Sequence, residues 1–426
     1  MARKQNKTTE TLPLVALDLG SGSIRAMAAR RLAPDLFEVL GVEERAQKPG
    51  AQCVEQGIIT QSSNAGFAIA EVLKLLANRI GISELPTAFL SLGGYSMQII
   101  PVRSKRDQAR KREVTQALLD EMEAECKQKI EARNPNVAVL GLVPSYFTLD
   151  GVEQDELPRP EQRAAIVEAN YIAFYGRKAI DTQLQKAFSQ AGRSIEHAFV
   201  RPEALLSAFA TCDGNHILTG GCAVLDFGAQ TTTLTVYKSG QYLVNKVVAK
   251  GGYHITRMLE QQGVSFQTAE VLKCRFGCAS AAQVQKNVRL RIPATPEVGG
   301  EIVVTAEQLA EAIDIKLREI LAPLIEEIKK VEGRVPILYI TGGGSMLTGM
   351  AEYLQQQTTL RVQYGAHNLL LHRNTDDKYL SPAYSSLVGT ILLGQDYRDN
   401  HKNELVRQPN FFDRLKEGTL DIFIDQ

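Results

Sequence analysis

Short apolar runs closed by turn residues alternate along this chain with longer stretches of helical periodicity, a pattern that predicts an α/β protein. From Leu14 the order reads strand, turn, strand, a further strand over 37–42 and a helix over 65–79. Residues 87–100 predict a strand broken at Gly93 and Gly94. A basic segment, 103–112, leads into a helix over 113–132, followed by strands at 137–143 and 146–149. A proline-rich acidic stretch (153–161) gives way to a strand over 164–174. The second half repeats the plan with a hairpin at Asp226 and a strand near 244–248. A helical region then starts at Tyr253, carries a polar loop and short strands within 288–304, and closes in a long amphipathic helix over 306–330. Residues 336–394 return to strand and helix, and a polar linker leads to an abruptly apolar end.

Two segments about 200 residues apart share one design, VALDLGSGSIRAMAA (Val15 onward) and CAVLDFGAQTTTLTVY (Cys222 onward). Each is an apolar strand, Asp-x-Gly at a sharp turn, small hydroxylated residues, then a second apolar strand. A third, PILYITGGGSMLTGM, runs a strand into Gly342, Gly343 and Gly344. Glycines admit phosphate close to the backbone, and turn N–H groups can donate to its oxygens. The aspartates add negative charge where Mg²⁺ and its waters would sit beside a triphosphate. Taken singly, each hairpin also reads as an ordinary turn, and the triplet as a helix start. Their order in one chain points instead to a nucleotide clamped between duplicated halves. No G-x-x-x-x-G-K-[ST] loop occurs, and GxGxxG is missing after the first strand.

Composition narrows the partners. At 426 residues there is room for two or three domains with ample core. Lys plus Arg and Asp plus Glu are both 48, so no net field draws the chain to nucleic acid, and no nucleic-acid partner is expected. No apolar run approaches the ~20 residues of a membrane-spanning helix, and the polar start is unlike a signal peptide, which implies a cytoplasmic protein. Six scattered cysteines, with Cys274 and Cys278 four apart and no second pair, read as reduced and mostly buried.

With these motifs in this order the chain resembles the actin/Hsp70-like ATPase superfamily and, more closely, the FtsA family of bacterial cell-division proteins, which tether FtsZ filaments to the inner membrane. The resemblance covers roughly 14–394. Asp18, Gly20, Ser21 and Gly22 resemble the first phosphate loop, Asp226, Gly228 and Thr231 the second, and Gly342 to Gly344 the loop beside the adenosine. GGYHIT from Gly251 and AEVLKCRFGCA from Ala269 are similar to FtsA patterns, which implies nucleotide contacts from Gly251 and nucleoside contacts from Glu270 and Lys273. These last two lie three apart, so one helical face can present both; an ordinary surface ion pair is the plainer reading. VPSYFTLDG, from Val143, resembles the end of the small insert that distinguishes FtsA from actin and Hsp70.

The implied fold is α/β, with duplicated actin/Hsp70-like (RNase H-like) domains, a small α/β insert and a helical subdomain. Its parts would be a polar tail (1–12), a first core domain (13–86 plus 163–200), an SHS2-like insert (87–162), a second core domain (201–252 plus 331–394), a nucleotide-side subdomain (253–330), a linker (395–410) and an amphipathic end (411–426). The implied cofactors are ATP and Mg²⁺, the metal held through water by Asp18 and Asp226.

Three departures bear on chemistry. Ser23 stands where many relatives carry Lys, while Arg25 falls where actin places its lysine and is expected to contact the nucleotide. Ala229 and Gln230 replace glycines of the second loop. Arg201 precedes Pro202 where several relatives have Glu, with Glu203 two residues on. Orienting water in line with a γ-phosphate needs a polar acceptor, which Arg cannot supply. ATP binding with turnover below about 1 s⁻¹ is therefore expected.

On a helix, Phe411, Phe412, Leu415, Ile422 and Phe423 share a face of about 120°, resembling the membrane-binding end of FtsA proteins. Residues 411–426 carry two basic and four acidic side chains, a net of −2, which anionic lipid does not favour; the alternative is a tail that folds back or binds a partner. Six of the ten residues 103–112 are basic, either a solvated loop or a contact for membrane phosphates or another division protein. The resemblance implies a peripheral protein on the cytoplasmic face of the inner membrane at the division site, self-associating into longitudinal polymers and binding the FtsZ C-terminal peptide through the subdomain 253–330. A PilM-like pilus adaptor, docked on the tail of a membrane partner, is the alternative. A small-molecule kinase or a chaperone ATPase would need a sugar-pocket Asp or a substrate-binding domain that the sequence does not show.

Overall fold

The structure is a computed structural model that describes residues 12–400, apart from 34–35, 155–157, 159–161, 211–216, 218–219, 240, 285–287, 366 and 368–370. The amphipathic segment 411–426, with Phe411, Phe412, Leu415, Ile422 and Phe423, lies outside the described residues.

The chain opens with an antiparallel meander of β1 (Leu14–Leu19), β2 (Ser23–Ala33) and β3 (Leu36–Ala46). It crosses over through the small ribbon β4 (Val54–Glu55) and β5 (Ile58–Ile59) and helix α1 (Ser62–Ile80) to β6 (Ala88–Leu92), parallel to β1. All six residues of β1 are buried because it is covered on both faces. Val15, Leu17 and Leu19 face the α1 side, while Leu14 and Ala16 join a separate cluster on the other. That alternation is the period of two expected of a strand.

The insert follows as β7 (Gln98–Glu113), α2 (Gln116–Arg133), β8 (Val137–Leu149), β9 (Val152–Gln154) and β10 (Arg163–Arg177). Its sheet order is β7-β10-β8-β9, and Leu119, Met122 and Cys126 of α2 pack on Phe147, Val167 and Tyr171. Helix α3 (Lys178–Ala191) then leads to β11 (Ile195–Val200), which completes the first sheet in the order β11-β6-β1-β2-β3.

Helix α4 (Arg201–Ala210) carries the chain into the second half. There β12 (Cys222–Phe227), β13 (Thr232–Lys238) and β14 (Gln241–Val248) form a second antiparallel meander. Next come α5 (Gly252–Glu260), α6 (Phe266–Phe276), the hairpin β15 (Arg289–Pro293) and β16 (Glu301–Thr305), and the long α7 (Ala306–Val331). Thr305 and Gln308 cap α7 reciprocally, and Leu309, Ile313, Leu317, Ile320, Leu324 and Ile328 form its buried stripe. β17 (Ile337–Thr341), α8 (Met350–Gln355) and β18 (Arg361–Tyr364) complete the sheet β14-β13-β12-β17-β18, and α9 (Ser385–Asn400) ends the described chain.

Numbered within its own half, each five-stranded sheet has the order 3-2-1-4-5, with strand 1 antiparallel to 2 and parallel to 4. The duplication expected from the hairpins is therefore a duplication of topology. The halves also exchange helices. α9 packs on the first sheet through Leu387, Val388 and Ile391, and α4 packs under the second through Leu205, Ala208 and Phe209.

Several expected boundaries shift. The basic segment 103–112 is not a loop before a helix but part of the edge strand β7. Ser104 turns inward, while Lys105 pairs with Glu168 on β10 at 2.6 Å and Arg106 pairs with Glu125 on α2; charged side chains suit an edge strand. β6 belongs to the core sheet and β10 to the insert sheet, so the insert spans 98–177 rather than 87–162. Residues 395–400 continue α9 instead of starting a linker, held by Arg398–Glu196 at 2.6 Å and Arg31–Asp399 at 2.6 Å. Cys53, Cys126 and Cys278 are free and buried, and Cys274 is free and exposed.

Candidate functional site

Each meander closes in the same turn. The Gly20 N–H donates to Ser23 O at 3.0 Å, and the Gly228 N–H donates to Thr231 O at 2.9 Å. Asp18 and Asp226 occupy equivalent places, one residue before the end of the first strand of each half. Their parallel neighbours match too, Asp18 opposite Ser91 on β6 and Asp226 opposite Thr341 on β17. Glycines follow both neighbours, Gly93 and Gly94 in one half and Gly342 to Gly344 in the other. The two hairpins and the triplet converge on one cleft between the halves, a cavity of about 380 Å³, ample for a small ligand.

Asp18, Gly20, Ser21, Gly22, Arg25, Asp226, Gly228, Thr231, Glu270, Lys273 and the glycines 342–344 all line this cavity. Gly251 does not. It lies behind the wall, where the Gly252 and Tyr253 N–H groups donate to Gly228 O and Ala229 O at 2.9 and 2.8 Å. A Cβ at 251 would collide with that turn, so the residue serves the docking of α5 on the hairpin. Gly342 has φ +83°, and a Cβ there would lie 2.5 Å from Asp226 Oδ1; its glycine admits the strand exit alongside the aspartate.

One wall of the cleft is built by α5 and α6. Lys273 Nζ donates to Glu270 at 2.7 Å, to Thr256 Oγ1 at 2.9 Å and to Gly252 O at 3.2 Å. The ammonium is thereby fixed, while the Glu270 carboxylate, its side chain one-third exposed, keeps acceptor capacity toward the cavity. Arg25 lines the opposite wall, but its guanidinium is engaged across the halves. It donates to Ala383 O at 2.8 Å, pairs with Glu44 at 3.0 Å and lies 5.2 Å from the Tyr384 ring centre.

Arg201 is the unexpected feature. As the first residue of α4 it reaches into the cleft, hydrogen-bonds Asp18 and stands 3.7 Å from Asp226. The three side chains are 10% (Asp18), 14% (Asp226) and 19% (Arg201) exposed, so the triad is largely shielded from water. Burial works against the Arg201 charge, and the two aspartates outweigh it, holding its pKa above the ordinary value. Burial pushes Asp226 up, with Asp18 adding to the rise and Arg201 opposing it.

This arrangement bears on the expected metal site. The resemblance implies Mg²⁺ held through water by Asp18 and Asp226, but the chain's own guanidinium already faces both carboxylates. The residues present do not fit a hydrated divalent cation between them, since two cations would compete for one place. Among the described residues no group of three or more His, Cys, Asp or Glu could hold a metal ion.

Sequence reasoning marked Arg201 as a departure without revealing its partners. It marked Gln230 as a departure too, without its contact across the cleft, where the side-chain oxygen accepts from the Gln56 N–H at 2.8 Å, and it missed the 382–383 segment over the cavity. An unusual residue in a glycine position was the available signal for Gln230.

The family profile described as Cell division protein FtsA matches residues 223–389. The curated Cell division protein FtsA of Streptococcus pneumoniae serotype 2 is 24% identical over 95% of this chain and 86% of its own. That of Bacillus subtilis is 21% identical over 88% and 82%, and that of Helicobacter pylori 22% over 92% and 83%. In sequence the chain is similar to the FtsA family. Solved structures agree on an actin-like fold. A chain of the PilM–PilN type IV pilus biogenesis complex superposes with TM-score 0.64 at 16% identity, over 89% of this chain and 98% of that one. MreB5 of Spiroplasma citri bound to ADP superposes with TM-score 0.55 at 14% identity, over 92% and 99%. At these identities the likeness is one of fold.

Proposed function

We propose that this chain is an ATP-binding, actin-like scaffold of cell division that self-associates and links FtsZ filaments to the cytoplasmic membrane. One observation carries the reading: the duplicated hairpins and the glycine triplet converge on a single cleft between topologically equivalent halves. Turn N–H groups at 20–23 and 228–231 would receive phosphate oxygens. Glu270 would accept from ribose hydroxyls, Lys273 would hold Glu270 in place, and the glycines 342–344 would lie against the adenosine. MreB5 of S. citri, of the same fold, binds ADP and AMPPNP.

Such a nucleotide touches both halves and favours their closed arrangement, which would present complementary ends for a longitudinal polymer. Segment 411–426 would enter the interface of the membrane's cytoplasmic face through Phe411, Phe412, Leu415, Ile422 and Phe423, and the 253–330 subdomain would take the FtsZ C-terminal peptide. Hydrolysis is expected to be slow, because Arg201 cannot orient water as a carboxylate would. Likeness to PilM rests on fold at 16% identity, whereas several relatives matched in sequence are cell-division proteins.

Co-sedimentation with anionic lipid vesicles and ATP tests the reading. The full chain is expected to pellet and a truncation after Asn410 to stay in solution. If neither pellets, the terminal segment is no membrane anchor and a soluble adaptor role is favoured.

A further inference from the structure

We propose that Arg201 is the resident cation of the cleft, standing between Asp18 and Asp226 in place of a hydrated divalent ion, so that the site takes a nucleoside di- or triphosphate without Mg²⁺. This rests on the nucleotide-binding reading above and deepens it. A cation that is covalently part of the chain faces both hairpin aspartates. The guanidinium hydrogen-bonds Asp18 and lies 3.7 Å from Asp226.

The side chain is seated, not merely near. Arg201 begins α4 directly after β11, so its Cα is fixed by the edge of the first sheet. Pro202 presets the backbone of the first helical turn. Behind the side chain is Gly93, where a Cβ would come within 3.1 Å of Arg201 Nε and 3.3 Å of Cδ. That glycine leaves the room in which the arginine stem lies.

The chemistry suits an anionic ligand. Arg201 Nε is buried beside Gly93 with no hydrogen-bond partner of its own, while the residue lines the cavity. Five N–H donors allow one guanidinium to hold both carboxylates and still offer hydrogen bonds to phosphate oxygen. A guanidinium also cannot lose its charge within the working range of pH. Two carboxylates facing each other across a cleft would repel a polyphosphate unless a cation neutralises them. Elsewhere a diffusible metal can fill that part; here the chain supplies it from one end of a helix.

Equilibrium binding of ATP and of ADP to the full chain, with Mg²⁺ and with a chelator in its place, tests the inference. Wild-type affinity is expected to change by less than about threefold between the two conditions. Arg201→Gln uncovers the aspartate pair, and its affinity is expected to fall by about tenfold or more when Mg²⁺ is withdrawn. Wild-type binding that weakens by about tenfold or more in chelator overturns this inference and leaves the nucleotide site standing. Absence of wild-type binding in both conditions overturns the site itself and the inference with it. Should Arg201→Gln fail to fold, the wild-type comparison decides alone.

Discussion

Arg201 and Glu203 stand two positions apart at the start of α4 and illustrate opposite answers to burial. Arg201 meets two carboxylates and remains charged. For Glu203, burial pushes the carboxyl up to about 8, Glu123 on the insert helix adds to the rise, and a backbone hydrogen bond at Val200 opposes it. Its pKa in the fold lies above the ~4.3 of a free glutamate, so folding favours the protonated acid. The associated stability is complete below about pH 4.3 and lost as pH rises through about 8. Glu203→Gln is expected to melt close to wild type near pH ~5 and above it near pH ~9. Parallel melting profiles for the two proteins would refute the buried acid. Composition places an Arg and a Glu beside Pro202; it cannot say that Asp18, 183 residues away, is the arginine's partner. Ion pairs of that range belong to topology.

Strands and helices with a strong period were legible along the chain. β1 and β12 announce themselves as unbroken apolar runs ending in Asp, because central strands are buried on both faces. α7 shows a regular buried stripe and matches its expected span within a residue. What could not be read was membership. β6 and β10 are both apolar strands flanking the insert, and hydropathy is blind to which sheet receives each. β7 escaped for a different reason: its outward charges mask the strand alternation, and its pairing with β10 supplies the stability that propensity does not. The helix exchange between halves was equally hidden. α4 and α9 cross so closely that a Cβ at Gly389 would collide with the Ala204 carbonyl. Gly389→Val is therefore expected to cost roughly 2 kcal/mol or more, read as a lowered denaturant midpoint with cofactor-free protein. An unchanged midpoint would mean that the crossing is looser than the structure shows.

Across the two halves, the cleft follows from duplication. Equivalent turns, equivalent aspartates and equivalent glycine exits face one another, so a ligand at their meeting point senses both sheets at once. Gln230 to the Gln56 N–H and Arg25 to Ala383 O already span the cleft, and α4 with α9 forms the crossing behind it. A nucleotide would add contacts at the front of that crossing, which is how binding energy could bias the relative position of the halves. The doubled hairpins made this cleft foreseeable; the arginine inside it was not, because its partner Asp18 lies 183 residues away in the chain.

The decisive observation is amide hydrogen exchange of the full chain with and without ATP. If the nucleotide lies between the halves, exchange should slow together at residues 20–23, 228–231 and 342–344, with the α4 start protected alongside. Protection confined to one half, or absent from both hairpins while ATP is bound, would contradict a nucleotide clamped between duplicated domains.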